Sequence, residues 1–204
     1  MAADTQFDAA THTYRINGRT VPSVTQIIGE LFPDQYGPMS DSDREYVMQR
    51  GTAVHHGCKL FDDGQLDWDS VVPEIRQRIE AWARFRKECP DFQVAVSEQF
   101  YGCESYQYAG TVDRVFIGPQ GHTLCDIKST TVATARIQLG GYSRLLQDAG
   151  CKCFNAVIVQ VNDDGTYKTG WLNRAELNRM ENLFLACLSV YGFKARNNLL
   201  KGKS

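Results

Sequence analysis

In the part of the chain before Pro90, the pattern of apolar and polar residues predicts one β-hairpin followed by helices. Asn17-Gly18 supplies the positive φ values of a type I′ turn, and it therefore predicts the hairpin. After the hairpin, apolar residues recur every three or four positions, as on one face of a helix. The predicted elements are strands Thr13–Ile16 and Arg19–Val21, and helices from Ser23 or Thr25 to Leu31, from about Asp41 to Phe61, and from Pro73 to Glu88.

Beyond Pro90 the period of the apolar residues changes, and short runs separated by turn residues predict strands. One run, Phe154–Val161, is almost continuously apolar, which is typical of a strand buried on both faces. The predicted elements are strands Phe92–Tyr101, Tyr106–Ile117, Thr123–Lys128, Phe154–Val161 and Thr166–Trp171, and helices Val132–Ala149 and from Asn173 onward. This order predicts an α/β fold in which helices flank a mixed central β-sheet.

Composition indicates a globular protein. The 204 residues are 43% hydrophobic and 11% aromatic, which is enough to form a core. No apolar run approaches the ~18 residues of a membrane span, and the opening MAADTQFDAATHTYR lacks the basic start and apolar stretch of a secretory signal. We therefore expect no membrane association. The expected organisation is a hairpin and loop appendage at 1–40, a core at 41–194 and a basic tail at 195–204.

Charge is unevenly distributed, although the formal net charge is only −2. Residues 1–70 carry 5 basic and 11 acidic side chains, and residues 71–204 carry 17 basic and 13 acidic ones. The small net charge argues against nucleic-acid binding through bulk charge alone. A local surface of basic residues could bind the nucleic acid instead, although a run of charged residues is as often a solvated helix face. Its candidates are Arg76, Arg78, Arg84, Arg86, Lys87 and the lysines of the carboxyl tail, with Trp82 and Tyr36 available for base stacking or for ordinary packing.

Two carboxylates and a lysine are predicted to converge at one edge of the sheet. Asp126 and Lys128 are two residues apart on a strand, so both point to one face, and Asp113 lies on the strand before. Neighbouring carboxylates repel unless a cation lies between them, and Mg²⁺ or Mn²⁺ is the usual ion for such oxygen ligands. A lysine beside the ion could position or deprotonate an attacking water, or offset charge on a phosphate. An isolated D-x-K is, however, far more often an ordinary surface ion pair.

Other segments carry side chains that could join these three. Glu98 lies on the first strand of the same meander, where it is either a third carboxylate or a solvated strand residue. His55 follows Gly51 by one helical turn, and a glycine there would let the helix approach a sheet or ligand closely. From spacing alone, His56 could serve equally. Two residues four apart share a face of the next helix, namely Gln138 and Tyr142.

Together these segments resemble the PD-(D/E)XK nuclease superfamily, in particular its RecB-like branch. They are most similar to the mitochondrial genome maintenance exonucleases and their phage-encoded relatives. The resemblance spans about residues 12–190, and its motifs are Gly51-Thr-Ala-Val-His55, Gly110-Thr-Val-Asp113, Asp126-Ile-Lys128 and Gln138-Leu-Gly-Gly-Tyr142, in the order typical of that branch.

The resemblance implies a restriction-endonuclease-like core around a metal-dependent active site. It implies that His55, Asp113, Asp126 and the carbonyl of Ile127 bind Mg²⁺ or Mn²⁺. Lys128 would be the catalytic lysine, with Glu98 as a further catalytic carboxylate. DNA or the lysine would be oriented by Gln138 and Tyr142, and the candidates for gripping DNA phosphates include Arg84, Arg86 and Lys87.

The expected function is therefore a metal-dependent deoxyribonuclease, most specifically an exonuclease on linear DNA, single- or double-stranded. Its context would be recombination, repair or phage replication in the cytoplasm of a bacterial or phage-infected cell. A recombination or single-strand-binding protein is a candidate partner. Two alternatives stay open, namely a catalytically silent DNA-binding module of the same fold and a site-specific endonuclease.

The cysteines are expected to be reduced core residues. Their number is seven, which is odd, and they are spread through predicted core segments, as in cytosolic proteins without a disulfide scaffold. Some relatives carry a four-cysteine iron–sulfur cluster, with three of the cysteines crowded near the carboxyl end. Here only Cys151 and Cys153 lie close together, with Cys187 alone beyond them, so no iron–sulfur cluster is expected.

Overall fold

A computed structural model describes residues 4–35, 37, 39–130 and 133–200 of the chain. These residues form eight strands and five α-helices, with one turn of 3₁₀-helix at Trp68–Ser70. The strands are β1 Thr5–Asp8, β2 Thr13–Ile16, β3 Arg19–Val21, β4 Gln93–Cys103, β5 Tyr108–Gly118, β6 Gly121–Lys128, β7 Asn155–Val161 and β8 Tyr167–Leu172. The helices are α1 Val24–Leu31, α2 Asp41–Asp62, α3 Pro73–Glu88, α4 Ala135–Asp148 and α5 Arg174–Arg196.

The central sheet has five strands in the order β4-β5-β6-β7-β8. Strands β6 and β7 are parallel because helix α4 connects them, whereas the other neighbours are antiparallel. The sheet is therefore mixed, with helices on both faces, and the predicted fold class is confirmed. Among the helices of the described residues, none combines the length and apolar character needed to span a bilayer.

Two hydrophobic cores lie on opposite faces of this sheet. On one face, α1, α4 and α5 pack through residues such as Ile28, Leu139 and Phe184. On the other face, α2 and α3 pack through Val54 and Trp82 against inward side chains of the sheet strands, among them Phe116, Cys125, Ile127, Val157 and Val159. Because Ile127 belongs to this second core, its neighbours in β6, Asp126 and Lys128, point to the opposite face.

A second, three-stranded sheet precedes the main one, in the order β1-β2-β3. Its apolar face packs Tyr14, Ile16 and Val21 against Ala109 of β5. The hairpin of β2 and β3 has the predicted bounds, and Ser23 caps α1 through a capping box with Gln26. Strand β1 was not predicted, because its sequence Thr-Gln-Phe-Asp contains a single apolar residue.

Most other boundaries lie within two or three residues of those predicted. The largest difference is in α4, which begins at Ala135, whereas the sequence predicts a start at Val132, which lies outside the described residues. Helix α4 packs closely on α5 through Gly140, where an added Cβ would lie 2.2 Å from the Met180 carbonyl oxygen. A side chain at this position would force the two helices apart.

Candidate metal centre

The candidate centre lies where strands β5 and β6 separate. Their ladder runs from the Gly118–Gly121 pair to the Arg114–Cys125 pair, whereas β6 stays paired with β7 as far as Lys128. Beyond the last β5–β6 pair, the Ile127 amide donates instead to the Asp113 carboxylate, with 2.8 Å between N and Oδ2. The side chain of Asp113 thus replaces a main-chain acceptor at the point where the β5–β6 ladder ends.

His55 of α2 contacts both strands at this point. Its Nε2 lies 2.9 Å from the Ile127 carbonyl oxygen, and its Nδ1 lies 3.4 Å from Asp113 Oδ1 and 3.6 Å from Glu98 Oε1. One potential ligand atom from each of His55, Glu98 and Asp113 falls within 4.8 Å of the other two. A histidine that binds a metal through one ring nitrogen commonly donates from the other to a carbonyl, as His55 does to Ile127.

Asp126 and Lys128 lie beside this group of three. Lys128 Nζ donates to Asp126 Oδ1 over 3.0 Å. The second oxygen, Asp126 Oδ2, is buried and has no hydrogen-bond partner within the described part of the chain. A buried carboxylate oxygen without a donor is costly, and a cation is one way to compensate it. The donor set, one imidazole with three carboxylates, therefore fits a divalent metal ion.

The pKa values of these groups are shifted by burial and by one another. Burial raises the pKa of Asp126 to about 6, and the charge of Asp113 adds to this while Lys128 opposes it. Burial has the same effect on Asp113, but His55, Lys128 and the Ile127 amide more than offset it and lower its pKa. Burial lowers the pKa of His55, yet Asp113 and Glu98 outweigh it and raise the value to about 10. Without a metal, a proton on His55 therefore balances the carboxylates at neutral pH.

The Glu98 carboxylate accepts a hydrogen bond from a buried arginine. Arg114 is fully buried, and its Nη1 donates to Glu98 Oε1 over 2.9 Å while its Nε donates to Asp62 Oδ2 over 2.8 Å. The backbone of Glu98 has a φ of 48°, a left-handed conformation that non-glycine residues seldom adopt and that recurs at functional sites. Asp62 and Arg114 were not singled out by the sequence, although an arginine among the apolar residues of β5 is a usable signal.

Gln138 and Tyr142 lie on the inner face of α4, both buried. Burial raises the pKa of Tyr142, and the charges of Asp126 and Asp113 add to this. Gly110 leaves room for its ring, since an added Cβ would lie 3.0 Å from Tyr142 Cε1. Gln138 Oε1 is buried without a hydrogen-bond partner among the described residues.

The two adjacent histidines of α2 differ in their surroundings. His55 faces the carboxylates, whereas His56 is exposed. The sequence predicts close approach of a sheet or a ligand at Gly51, and the structure brings no sheet there, since a Cβ would meet no described protein atom within 4 Å. Gly57 is the residue that needs to be small, because a Cβ there would lie 2.3 Å from Ile79 Cδ1 of α3.

The candidate DNA-gripping residues of α3 do not form one surface. Arg84 and Lys87 are exposed. Arg86 is turned toward the protein, with Nε donating to Asp62 and its guanidinium over the ring of Phe116. Arg78 is buried and pairs with Asp163, Arg76 pairs with Glu80, and Trp82 is fully buried. Tyr36, Lys201 and Lys203 lie outside the described residues, and Lys194 pairs with Glu30.

The seven cysteines lie in or against the two cores of the main sheet. Cys58 and Cys125 belong to the core under α2 and α3, with Cys89 packed against it. The other core contains Cys103, Cys153 and Cys187, and Cys151 packs against it. Burial raises the pKa of these thiols, as expected of cysteines that act as small apolar residues.

No protein-family model and no curated protein sequence matches the chain. Among solved structures, it is similar to an alkaline exonuclease, LHK-Exo from Laribacter hongkongensis, with a TM-score of 0.35 and 16% identity over 86% of this chain and 90% of that one. LHK-Exo in complex with dAMP gives a TM-score of 0.35 and 16% identity over 87% of this chain and 93% of that one. At this level of similarity we infer function from the side chains of this chain alone.

Proposed function

We propose that this protein is a divalent-metal-dependent deoxyribonuclease that degrades linear DNA from an end. The observation that carries the proposal is the convergence of His55, Glu98 and Asp113 on one point beside the Asp126–Lys128 pair. Nucleases hydrolyse phosphodiesters with such a set because they must bind a cation, orient a water and neutralise charge at phosphorus. The order of the four sequence motifs supports the finer assignment to a RecB-like exonuclease of phage type.

The roles of the residues follow from their contacts. His55, Glu98 and Asp113 would hold the metal ion, with the unpartnered Oδ2 of Asp126 as a further ligand. The Ile127 carbonyl, which the resemblance also assigns as a ligand, accepts from His55 Nε2 here and would then share its oxygen between the two. When bound, Mg²⁺ or Mn²⁺ supplies charge neutralisation at the phosphate and stabilises the leaving oxygen. The imidazole nitrogen favours Mn²⁺.

Lys128 would act on the attacking water. Asp126 Oδ1 holds its ammonium over 3.0 Å, so Nζ is fixed at the edge of the centre and can donate to a water oxygen. Gln138 and Tyr142 would orient the strand or the lysine from α4, and the exposed Arg84 and Lys87 remain candidates for phosphate contacts. DNA in recombination, repair or replication, in the cytoplasm of a bacterial or phage-infected cell, would be the substrate, with a recombination or single-strand-binding protein as partner.

The test is a degradation assay on end-labelled linear DNA and on covalently closed circles. We expect the linear DNA to be degraded with Mg²⁺ or Mn²⁺, and no degradation with chelator or with Ca²⁺, which prefers longer bonds and more ligands. Degradation of linear DNA in excess chelator would overturn the proposal. Cutting of circles would indicate an endonuclease, and binding without cutting would indicate a silent module.

A further inference from the structure

A small cavity adjoins the candidate metal centre on the side of strand β8. Its volume is about 190 Å³, and the residues that line it include Lys128 of β6, Gln160 of β7 and Lys168 of β8. Ala135, the first residue of helix α4, lines it as well. Because the ammonium of Lys128 also donates to Asp126, the cavity and the centre share this lysine. We call this space the edge cavity, since β8 is the last strand of the sheet.

The register of the sheet places the two lysines in one row. Lys128 is paired with Gln160 across the β6–β7 ladder, and Gln160 is paired with Lys168 across the β7–β8 ladder. Directly opposed residues on neighbouring strands have their side chains on the same face of the sheet. This is the face of Asp126, which lies two residues before Lys128 on β6. The row therefore leads from the centre to the edge of the sheet, with about 10 Å between the backbones of the two lysines.

The edge cavity is lined by positive charge and by no carboxylate. Its ionisable lining side chains are those of Lys128 and Lys168, and no Asp or Glu of the described chain lines it. Lys128 is paired with Asp126, whereas Lys168 is exposed and makes no hydrogen bond or ion pair with the described residues. Helix α4 begins at Ala135 and adds the partial positive charge of a helix amino terminus. The cavity is therefore suited to an anion.

The size of the edge cavity and its lining indicate which anion. A volume of about 190 Å³ is the space of about six water molecules, at about 30 Å³ each. Pockets for drug-sized ligands measure about 300–1,000 Å³. A phosphate group therefore fits the cavity, whereas a nucleoside does not. No aromatic side chain of the described residues lines it, so it offers no surface on which a base could stack.

A lysine on an edge strand also has a purely structural use, because its charge discourages pairing with the edge of another chain. That use does not depend on which residues lie opposite. Here Lys168 lies opposite Gln160 and in line with Lys128, and Gln160 Nε2 donates to Asn162 Oδ1 over 2.9 Å, which orients the amide. Alignment with the lysine of the centre is the feature that edge protection leaves unexplained.

We infer that the edge cavity binds the DNA phosphate that neighbours the scissile one, with Lys168 as the positioning residue that supplies the charge. The inference rests on the proposed nuclease function and adds a second anchoring point for the strand. Lys168 would not touch the reacting atoms. The strand would be held at two successive phosphates, one at the metal centre and one in the cavity, so it would cross the sheet from β6 toward β8.

The test compares Lys168→Gln with Lys152→Gln, which removes an exposed lysine three residues before β7, at the end of that strand remote from Gln160. Binding of an oligonucleotide that the unmodified protein degrades is measured in Ca²⁺ by fluorescence anisotropy. Loss of one phosphate contact should weaken binding in about 0.1 M salt by about 5-fold for a single strand or about 8-fold for a duplex. The slope of log Kd against log salt should fall by about 0.7 or 0.9, respectively. Lys152→Gln should bind like the unmodified protein.

A neutral methylphosphonate, placed at each phosphate near the end in turn, identifies the phosphate that Lys168 contacts. At one position, next to the scissile bond, it should weaken binding by the unmodified protein and leave binding by Lys168→Gln unchanged, as in a double-mutant cycle for a direct contact. Lys168→Arg keeps the charge and should respond like the unmodified protein. With Mg²⁺, Lys168→Gln should raise KM with little change in kcat, because the contact is made equally in the ground state and the transition state.

Equal salt slopes for Lys168→Gln and Lys152→Gln, or additive losses at every methylphosphonate position, would overturn the inference. Self-association of Lys168→Gln with unchanged DNA affinity would also overturn it, since the lysine would then protect the edge strand. The proposed nuclease function fails separately, if the unmodified protein degrades no linear DNA with Mg²⁺ or Mn²⁺. Urea denaturation of Lys168→Gln and titration of Mn²⁺ into it should give the unmodified values, which excludes damage to the fold or to the metal centre.

Discussion

Two clusters of charged side chains stand side by side in this molecule, and their buried carboxylates are hydrogen-bonded to different degrees. The structural cluster consists of Asp62, Arg86 and Arg114 with the indole of Trp82. Both oxygens of Asp62 are occupied, Oδ1 by Trp82 Nε1 and Arg86 Nε and Oδ2 by Arg114 Nε. The site cluster consists of His55, Glu98, Asp113, Asp126 and Lys128. There Asp126, equally buried, keeps one oxygen without a donor within the described residues.

The difference separates stability from function. A buried carboxylate with a full set of donors is compensated by the protein itself, and removing one donor leaves an uncompensated charge. A buried carboxylate that lacks a donor costs free energy in the metal-free fold and is compensated only by a ligand. The two clusters meet at Arg114, which donates to both Asp62 and Glu98, so the cluster whose central carboxylate is fully paired fixes a ligand of the cluster whose carboxylate is not.

The largest expected effect concerns Lys128 in the site cluster. Lys128→Ala should lower kcat by a factor of about 10²–10³, the usual loss when one positioned hydrogen-bond donor of an active site is removed, because no other ammonium is held by Asp126 among the described contacts. Mn²⁺ affinity, measured by calorimetry, should change little. The exposed Lys152→Ala is the control. Near-normal turnover by Lys128→Ala would show that the role assigned to the lysine is wrong.

The next effect concerns the structural cluster. Arg114→Met removes a donor from Asp62 and from Glu98, so the free energy of unfolding should fall by about 3–5 kcal/mol, as when a buried ion pair loses one partner. Urea denaturation of the metal-free protein measures it. Arg84→Met, an exposed change on α3, should stay within about 0.5 kcal/mol. A loss below about 1 kcal/mol for Arg114→Met would contradict full burial of the pair.

The third expected effect is a gain in stability, on replacing Asp126, instead of a loss. Burial raises the pKa of Asp126 from 3.8 to about 6, so the metal-free fold loses stability as the pH rises from about 3, where this carboxyl is largely protonated in the folded and the unfolded chain, to above 6. Asp126→Asn should therefore stabilise the metal-free protein by about 2–3 kcal/mol at pH 7 while abolishing cleavage. At pH 4 the advantage should fall to about 0.5 kcal/mol. A variant less stable than the unmodified protein at pH 7 would show that Asp126 is compensated without a metal.

The sequence predicts most members of the site cluster but none of the structural cluster. The motifs lie on local elements, so the period of the apolar residues was enough to put Asp126 and Lys128 on one face of a strand. The structural cluster joins residues 52 positions apart, Asp62 and Arg114, and depends on how α2 packs over the sheet. No local pattern encodes such packing.

The same reason explains the residues whose surroundings differ from expectation. Arg86 and Trp82 share a helix with exposed basic residues, and their spacing alone does not tell which side chains turn inward to Asp62. Gly51 belongs to a motif, yet the close approach occurs at Gly57, where α2 meets Ile79 of α3. The roles assigned to individual site residues stay predictions, and the variants above test them.

The smallest expected effect is that of replacing His56, and it is informative when compared with the effect of replacing His55. Consecutive helical residues point about 100° apart, so only His55 faces Asp113 and Glu98, and His56 is exposed. His56→Ala should leave Mn²⁺ affinity and cleavage unchanged, whereas His55→Ala should lose both.

Because the carboxylates raise the pKa of His55 to about 10, Mn²⁺ must displace its proton, and binding at pH 8 should release about one proton. Calorimetry in two buffers of different ionisation enthalpy counts that proton, which His56→Ala should retain. If His56→Ala were the variant that loses metal and proton release, helix α2 would be rotated by one residue relative to the sheet.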